Sequence, residues 1–197
     1  ISNNHFYFTI PSSFKISEAI SVNSNEPLTA TITSNYIGGS APFAAGSPMV
    51  ETSSGLGFNG IYLNVSNTSP KSIVSGNTIK NYLRYSTGLC SFQAIAIGSG
   101  PVDVINNTIG DPSVSDDLSF ISGVDLFFNA IIYISTQDSL PVTVSGNTVN
   151  NVTIQNTLGT SGSFIGILYS NEFLSSATAT LSDNIMRNIN YADRNAF

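Results

Sequence analysis

Apolar and polar residues alternate in short runs that recur along the chain. Ala30/Ile32, Ser72/Val74, Val102/Val104, Val142/Val144 and Ala179/Leu181 point one way, while Thr31, Ile73, Asp103, Thr143 and Thr180 between them point the other. A period of two marks a strand with one buried face. Each run leads within a few residues to an asparagine, at Asn35, Asn77, Asn107, Asn147 and Asn184, and a sixth copy, Asn4, opens the chain. An apolar or aromatic residue follows each of them two places later. Asparagine bonds nearby backbone and tolerates left-handed φ. Each unit is therefore expected to read strand, corner at the asparagine, short strand.

The wording around these corners repeats. Ser145-Gly146-Asn147-Thr148-Val149-Asn150-Asn151-Val152 has near copies in Ser75-Gly76-Asn77-Thr78-Ile79-Lys80-Asn81-Tyr82 and Ser182-Asp183-Asn184-Ile185-Met186-Arg187-Asn188-Ile189. Asn106-Asn107-Thr108-Ile109, Ser34-Asn35-Tyr36-Ile37 and Asn3-Asn4-His5-Phe6 are shorter versions. Successive ladder asparagines are 30 to 42 residues apart, so the unit recurs while the connections vary in length. A second element alternates with the first. The strands starting at Phe58, Phe92, Phe128 and Phe164 share the pattern Phe-x-small-Ile-x-apolar at spacings of 34, 36 and 36.

One such strand and one corner per unit, always in the same order, suit a chain winding about a single axis. Stacked coils would pair each strand with its equivalent about 4.8 Å along the axis. Asn4, Asn35, Asn77, Asn107, Asn147 and Asn184 would then form a ladder of amides. Coils are expected at about 57–82, 91–109, 126–154 and 163–189, with loops at 38–55, 83–90, 110–125 and 155–162.

These repeats resemble the right-handed parallel β-helix of the pectate-lyase-like superfamily, and more narrowly the Asn- and Ser-rich repeat segments of large secreted surface proteins of Bacteroidetes. The resemblance implies an all-β fold, a right-handed single-stranded parallel β-helix (solenoid) of about five to six coils. It spans residues 1–197 as one segment. Because Ser2-Asn3-Asn4 already falls in a corner phrase, the chain is expected to be part of a longer repeat protein. The fold carries lyases, hydrolases and adhesins alike, so activity has to be read from a site.

Charge changes the picture next. Only 9% of the residues are charged, against about 25% in ordinary domains, and the formal net charge is −6. Phosphate binding needs clustered cations, so a nucleic-acid partner is excluded. No apolar run approaches the roughly 20 residues of a membrane span, so no membrane insertion is expected. The single cysteine, Cys90, cannot form a disulfide within the chain and reads as a small buried hydrophobe.

Candidate chemistry is sparse. His5 is the only histidine and is expected to face solvent at a corner. Asp111, Asp116 and Asp117 form the best polar cluster. Carboxylates from one loop could hold Ca²⁺, a hard cation that takes six to eight oxygens; no other cofactor is indicated. The resemblance implies that a lyase would set a basic residue beside such acids, yet Lys71, Lys80, Arg84 and Arg187 belong to other coils. Asp116 and Asp117 are adjacent, so on a strand they would point apart rather than form a hydrolase pair.

Repetition without a site favours a non-enzymatic extracellular segment, a stalk, filament or adhesin at a cell surface. Its partners would be neighbouring coils of a longer chain, further copies of itself, or surface polysaccharide. The alternatives are a polysaccharide-active enzyme, with its chemistry on strand faces or in loops 38–55 and 110–125, and a carbohydrate-binding module using Tyr36, Tyr62 and Tyr82 as stacking platforms.

Overall fold

The computed structural model describes residues 1–7, 18–53, 57–66, 69–115, 117–123, 125–135, 140–157, 162–171 and 178–193. Within them the chain forms a parallel β-solenoid with three sheets, interrupted by one short 3-10 turn at Pro42–Ala44. All strand-to-strand ladders are parallel. That follows from winding, because strands that neighbour each other in space are separated by a whole circuit of chain.

The first sheet stacks Glu18–Asn23, Gly57–Asn64, Cys90–Ser99, Leu126–Ser135 and Ser163–Asn171. The second stacks Thr31–Thr33, Ser72–Ser75, Val102–Ile105, Val142–Ser145 and Ala179–Ser182. The third has nine strands in two columns. His5–Phe6, Tyr36–Ile37, Thr78–Ile79 and Thr108–Ile109 make one, and Met49–Ser53, Tyr82–Ser86 and Leu118–Ser122 the other. The long strand Thr148–Asn156 joins both columns, and Ile185–Asp193 lies along it.

The expected inward columns face the core. Ile32, Val74, Val104 and Val144 are fully buried in register, as are Ile79, Ile109 and Val149 beyond the corner. Each such side chain stabilises the fold by roughly 1.5–3 kcal/mol. Phe58, Phe92, Phe128 and Phe164 stack with ring centroids 5.6, 5.4 and 5.3 Å apart. The small residue of their pattern also has a cause. In the strand Cys90–Ser99 both Ala94 and the following Ile95 turn inward, so the chain bends there. A Cβ on Gly60, at the matching place, would meet the Ala94 carbonyl at 2.6 Å and Ile79 Cδ1 at 2.9 Å.

Three of the expected loops contain strands of the third sheet. Met49–Ser53 lies in 38–55, Tyr82–Ser86 runs into 83–90, and Leu118–Ser122 lies in 110–125. The unit thus has a strand more than the sequence pattern gave it. The alternating run His5-Phe6-Tyr7-Phe8-Thr9-Ile10 also reads as a strand from the sequence, and Phe14-Lys15-Ile16 as a degenerate copy of the Phe pattern; His5–Phe6 forms a strand, while residues 8–17 lie outside the described residues.

Candidate functional site

The corner is built from two residues with different tasks. Asn3, Ser34, Gly76, Asn106, Gly146 and Asp183, each directly before a ladder asparagine, have φ between 55° and 64°. The left-handed turn is therefore made by the preceding residue, not by the asparagine as expected. Only after that turn can the asparagine side chain point inward, and Asn35, Asn77, Asn107 and Asn147 are 0–1% exposed.

Once inside, each amide is saturated. Asn77 gives its backbone N–H and a side-chain Nδ2–H to Asn107 Oδ1, at 3.0 and 2.9 Å. Asn107 does the same to Asn147, and Asn147 to Asn184. The second Nδ2 proton returns to the previous coil: Asn107 donates to Val74 O, Asn147 to Val104 O and Asn184 to Val144 O. Asn4 and Asn35 continue the series at the other end, in the same donor-to-acceptor direction. Every polar group that the fold buries here is paired, which makes burial affordable.

Four residues beyond the ladder lies a second polar corner. Tyr82 pairs with Leu118, and Leu118 with Val152, so Asn81, Asp117 and Asn151 occupy equivalent places just before them. Asn81 and Asn151 have φ of 56° and 49°. Asp117 Oδ2 accepts the backbone N–H of Asn81 and of Asp111, both at 2.9 Å. Burial pushes the Asp117 carboxyl above its ordinary range, and the two N–H donors offset only part of this. Asp117 is a structural anchor for the start of the 110–117 excursion rather than a solvated acid.

Asp111 sits on the rim of the same excursion. Its Oδ2 takes a 2.8 Å bond from Lys80, and its Oδ1 takes the N–H and hydroxyl of Ser113. These bonds hold its carboxyl at about 2. Sequence distance had put Lys80 in another coil; stacking places it against the acid, and Lys71 is likewise paired with Asp103 at 2.7 Å. The cations that looked remote are neighbours along the axis. Asp116 lies outside the described residues. Asp111 and Asp117 turn their oxygens to different protein donors, and among the described residues no group of three His, Cys, Asp or Glu is placed to hold a metal ion.

A further charged cluster had no signal in the repeats. Glu51 pairs with Arg84 in the third sheet, and both side chains point into the core beside Phe120 and Ile154. Arg84 Nη1 is 3.8 Å from Glu51 Oε2, and the Tyr82 hydroxyl donates to the same oxygen. Arg84 Nη1 also reaches the Ser91 carbonyl at 3.3 Å. Burial, then Glu51, raises the Tyr82 phenol well above its ordinary value.

Tyr82 is therefore no sugar platform. It is 2% exposed and packs between Phe58, Phe92 and Phe120. Tyr36 and Tyr62 are half-buried. Tyr36 meets His5 and Phe43 edge-on, and His5 lies half-buried between those rings rather than free in solvent. Cys90 is buried in the core, at the start of a Phe strand.

Two of the shallow grooves among the described residues lie on the third sheet. One, of about 440 Å³, is lined by Thr52, Tyr85, Ser86, Ile121 and Thr157; the other, of about 420 Å³, by Ser115, Asn151, Thr153, Asn188 and Asn190. The linings of these two are hydroxyls, amides and apolar groups together with the Tyr85 phenol, and a third depression, of about 350 Å³, is lined by His5, Tyr7, Glu18, Met49 and Phe58. Neither a protein family, nor a curated protein, nor a solved structure matches this chain.

Proposed function

We propose that this chain is a non-enzymatic structural or adhesive segment of a secreted or cell-surface β-helix protein. The observation that carries the reading is where its polar groups are spent. The ladder amides and the charged pairs Lys80–Asp111 and Glu51–Arg84 all bond from one coil to the next along the axis. Enzymes instead gather titratable groups with shifted pKa in a cleft. On this reading the winding is right-handed, as parallel crossovers in one sheet nearly always are, and the chain makes five to six coils of the pectate-lyase-like kind.

A neutral carbohydrate-binding role is the second reading. It is favoured by the groove in which Tyr85 stands among Thr52, Ser86 and Thr157, since an exposed ring with hydroxyls around it suits a sugar face. The test is incubation of the purified chain with acidic and neutral polysaccharides, with and without Ca²⁺, following unsaturated products and reducing ends. The structural reading expects no turnover. Turnover that disappears on changing Asp111 or Asp117 would establish the enzyme instead.

A further inference from the structure

The second sheet is interrupted inside the stack, between Val102–Ile105 and Val142–Ser145. Val102–Ile105 pairs over all four residues with Ser72–Ser75 before it, and Val142–Ser145 does the same with Ala179–Ser182 after it. Between the two strands themselves only Val104 with Val144 and Ile105 with Ser145 pair, so the entry half of the ladder is missing. The flanking junctions show which bonds belong there, because a parallel ladder repeats evenly. Ser72 N–H donates to Pro101 O and Val142 N–H to Thr178 O, so Val102 N–H would meet Pro141 O. Ile73 N–H donates to Ala30 O, so Thr143 N–H would meet Val102 O.

Side chains hold these groups instead. Tyr133, buried in the core, accepts the Val102 N–H on its hydroxyl at 2.9 Å and donates its own proton to Gly100 O at 2.7 Å. Asp103 Oδ1 accepts the Thr143 N–H at 2.8 Å. Pro141 O takes a 3.0 Å bond from Lys71 Nζ, which also holds the Asp103 carboxylate at 2.7 Å. Lys71, Pro101 and Pro141 occupy equivalent places, one residue before their strands. One ammonium therefore reaches past a whole coil to the next but one. Unlike a backbone rung, this bridge is open to solvent: the Lys71 and Asp103 side chains are 29% and 15% exposed.

We infer that this junction is a latched seam, at which Pro141–Thr143 parts reversibly from Val102–Asp103 and which the Lys71–Asp103 bridge holds shut. Segments with few backbone bonds open before the rest of a fold, and exposed ion pairs are weakened by salt. Opening stops at Val104 and Val144, where the backbone ladder resumes. Beyond them Asn107 stays bonded to Asn147, so the corner keeps the register while the entry to the strand gives. The solenoid thus carries a salt-sensitive joint in its interior. The inference does not depend on the surface-protein reading, and the polysaccharide assay is indifferent to its outcome.

Amide hydrogen exchange of the full chain, resolved by NMR, tests it. Thr143 N–H should be protected at least about tenfold less than Ile73 N–H, its counterpart on a backbone carbonyl. Raising salt from about 0.02 to about 1 M should speed exchange at Thr143 and leave Ile73 unchanged. Lys71→Met should speed Thr143 by a further factor of about ten and abolish its salt dependence, with Val74 and Val104 within about twofold of the parent chain. Asp103→Asn keeps an oxygen for Thr143 but drops the charge, so it should lose the salt dependence with a smaller rise in rate. Thr143 exchanging in step with Ile73, or indifferent to salt in the parent chain, would overturn the inference. So would Lys71→Met speeding exchange equally in every coil, which is the mark of an ordinary stabilising ion pair.

Discussion

Asn107 hands two protons to a single oxygen, Asn147 Oδ1, from its backbone at 3.0 Å and its side chain at 2.9 Å, across 40 residues of sequence. The same oxygen type on Asn107 serves Asn77, and Asn107 Nδ2 closes the circuit on Val74 O. Removing this one side chain strands two donors and an acceptor in the buried core. Asn107→Ala is expected to lose about 3 kcal/mol or more, at roughly 1–3 kcal/mol per unpaired buried group. Asn4→Ala, at an exposed position, should lose under about 1 kcal/mol. Urea unfolding of the two variants checks this, and equal losses would remove the ladder's role.

This ladder was legible in the sequence because it is chemically repetitive: every coil needs a turn-former, then an amide, then an apolar residue two places on. The left-handed position was misread because Asn, Gly, Ser and Asp all fill it, so the invariant letter drew the assignment. The strands Met49–Ser53, Tyr82–Ser86 and Leu118–Ser122 were hidden for a different reason. Their inward columns read Met49, Tyr82, Leu118 and Glu51, Arg84, Phe120, mixing charge with apolar residues, so no shared alternation survives. The Lys80–Asp111 pair was within reach. Aligning the phrases on Asn77 and Asn107 sets Lys80 level with Gly110, next to Asp111. The second corner was also present in the quoted phrases, as Asn81, Asn151 and Asn188.

The buried pair Glu51–Arg84 makes a sharper energetic prediction. Removing one member leaves a charge among Phe120 and Ile154, at a cost of about 3–5 kcal/mol, whereas replacing both with apolar residues of similar size is often neutral. Arg84→Met and Glu51→Leu should each destabilise strongly, and the double variant should be more stable than either. A double variant whose loss equals the sum of the two would contradict this.

Asp111 and Asp117 oppose each other in pH. The folded chain holds the Asp117 proton more tightly than the unfolded one, because its pKa is raised from 3.8. Its contribution is complete below that value and is lost as pH rises through the folded value. Asp111, lowered from 3.8 to about 2, contributes above 3.8 and loses that contribution as pH falls toward about 2. Asp117→Asn, which restores the residue type of Asn81 and Asn151, should raise the Tm near neutral pH. Asp111→Asn should lower it there and flatten the acid limb. Thermal melts across pH read both, and a neutral-pH loss for Asp117→Asn would reverse the assignment.

Two glycines with positive φ should respond differently. A Cβ at Gly110, φ +78°, would lie 1.8 Å from the Asn150 carbonyl, whereas at Gly76, φ +62°, the nearest atom is 3.8 Å away. Gly110→Ala must shift backbone and is expected to cost at least about 3 kcal/mol; Gly76→Asn, matching Asn106 in the next coil, should cost under about 1 kcal/mol. Chemical denaturation distinguishes them.

The most direct test of an interior asparagine ladder is amide hydrogen exchange resolved by NMR at the ladder residues. The backbone N–H and both Nδ2 protons of Asn77 and Asn107 should exchange as slowly as the core strands that hold Val74 and Val104, because each proton is bonded and buried. Side-chain amides of Asn77 and Asn107 that exchange at the rates of solvent-exposed asparagines would contradict the ladder and the solenoid built on it.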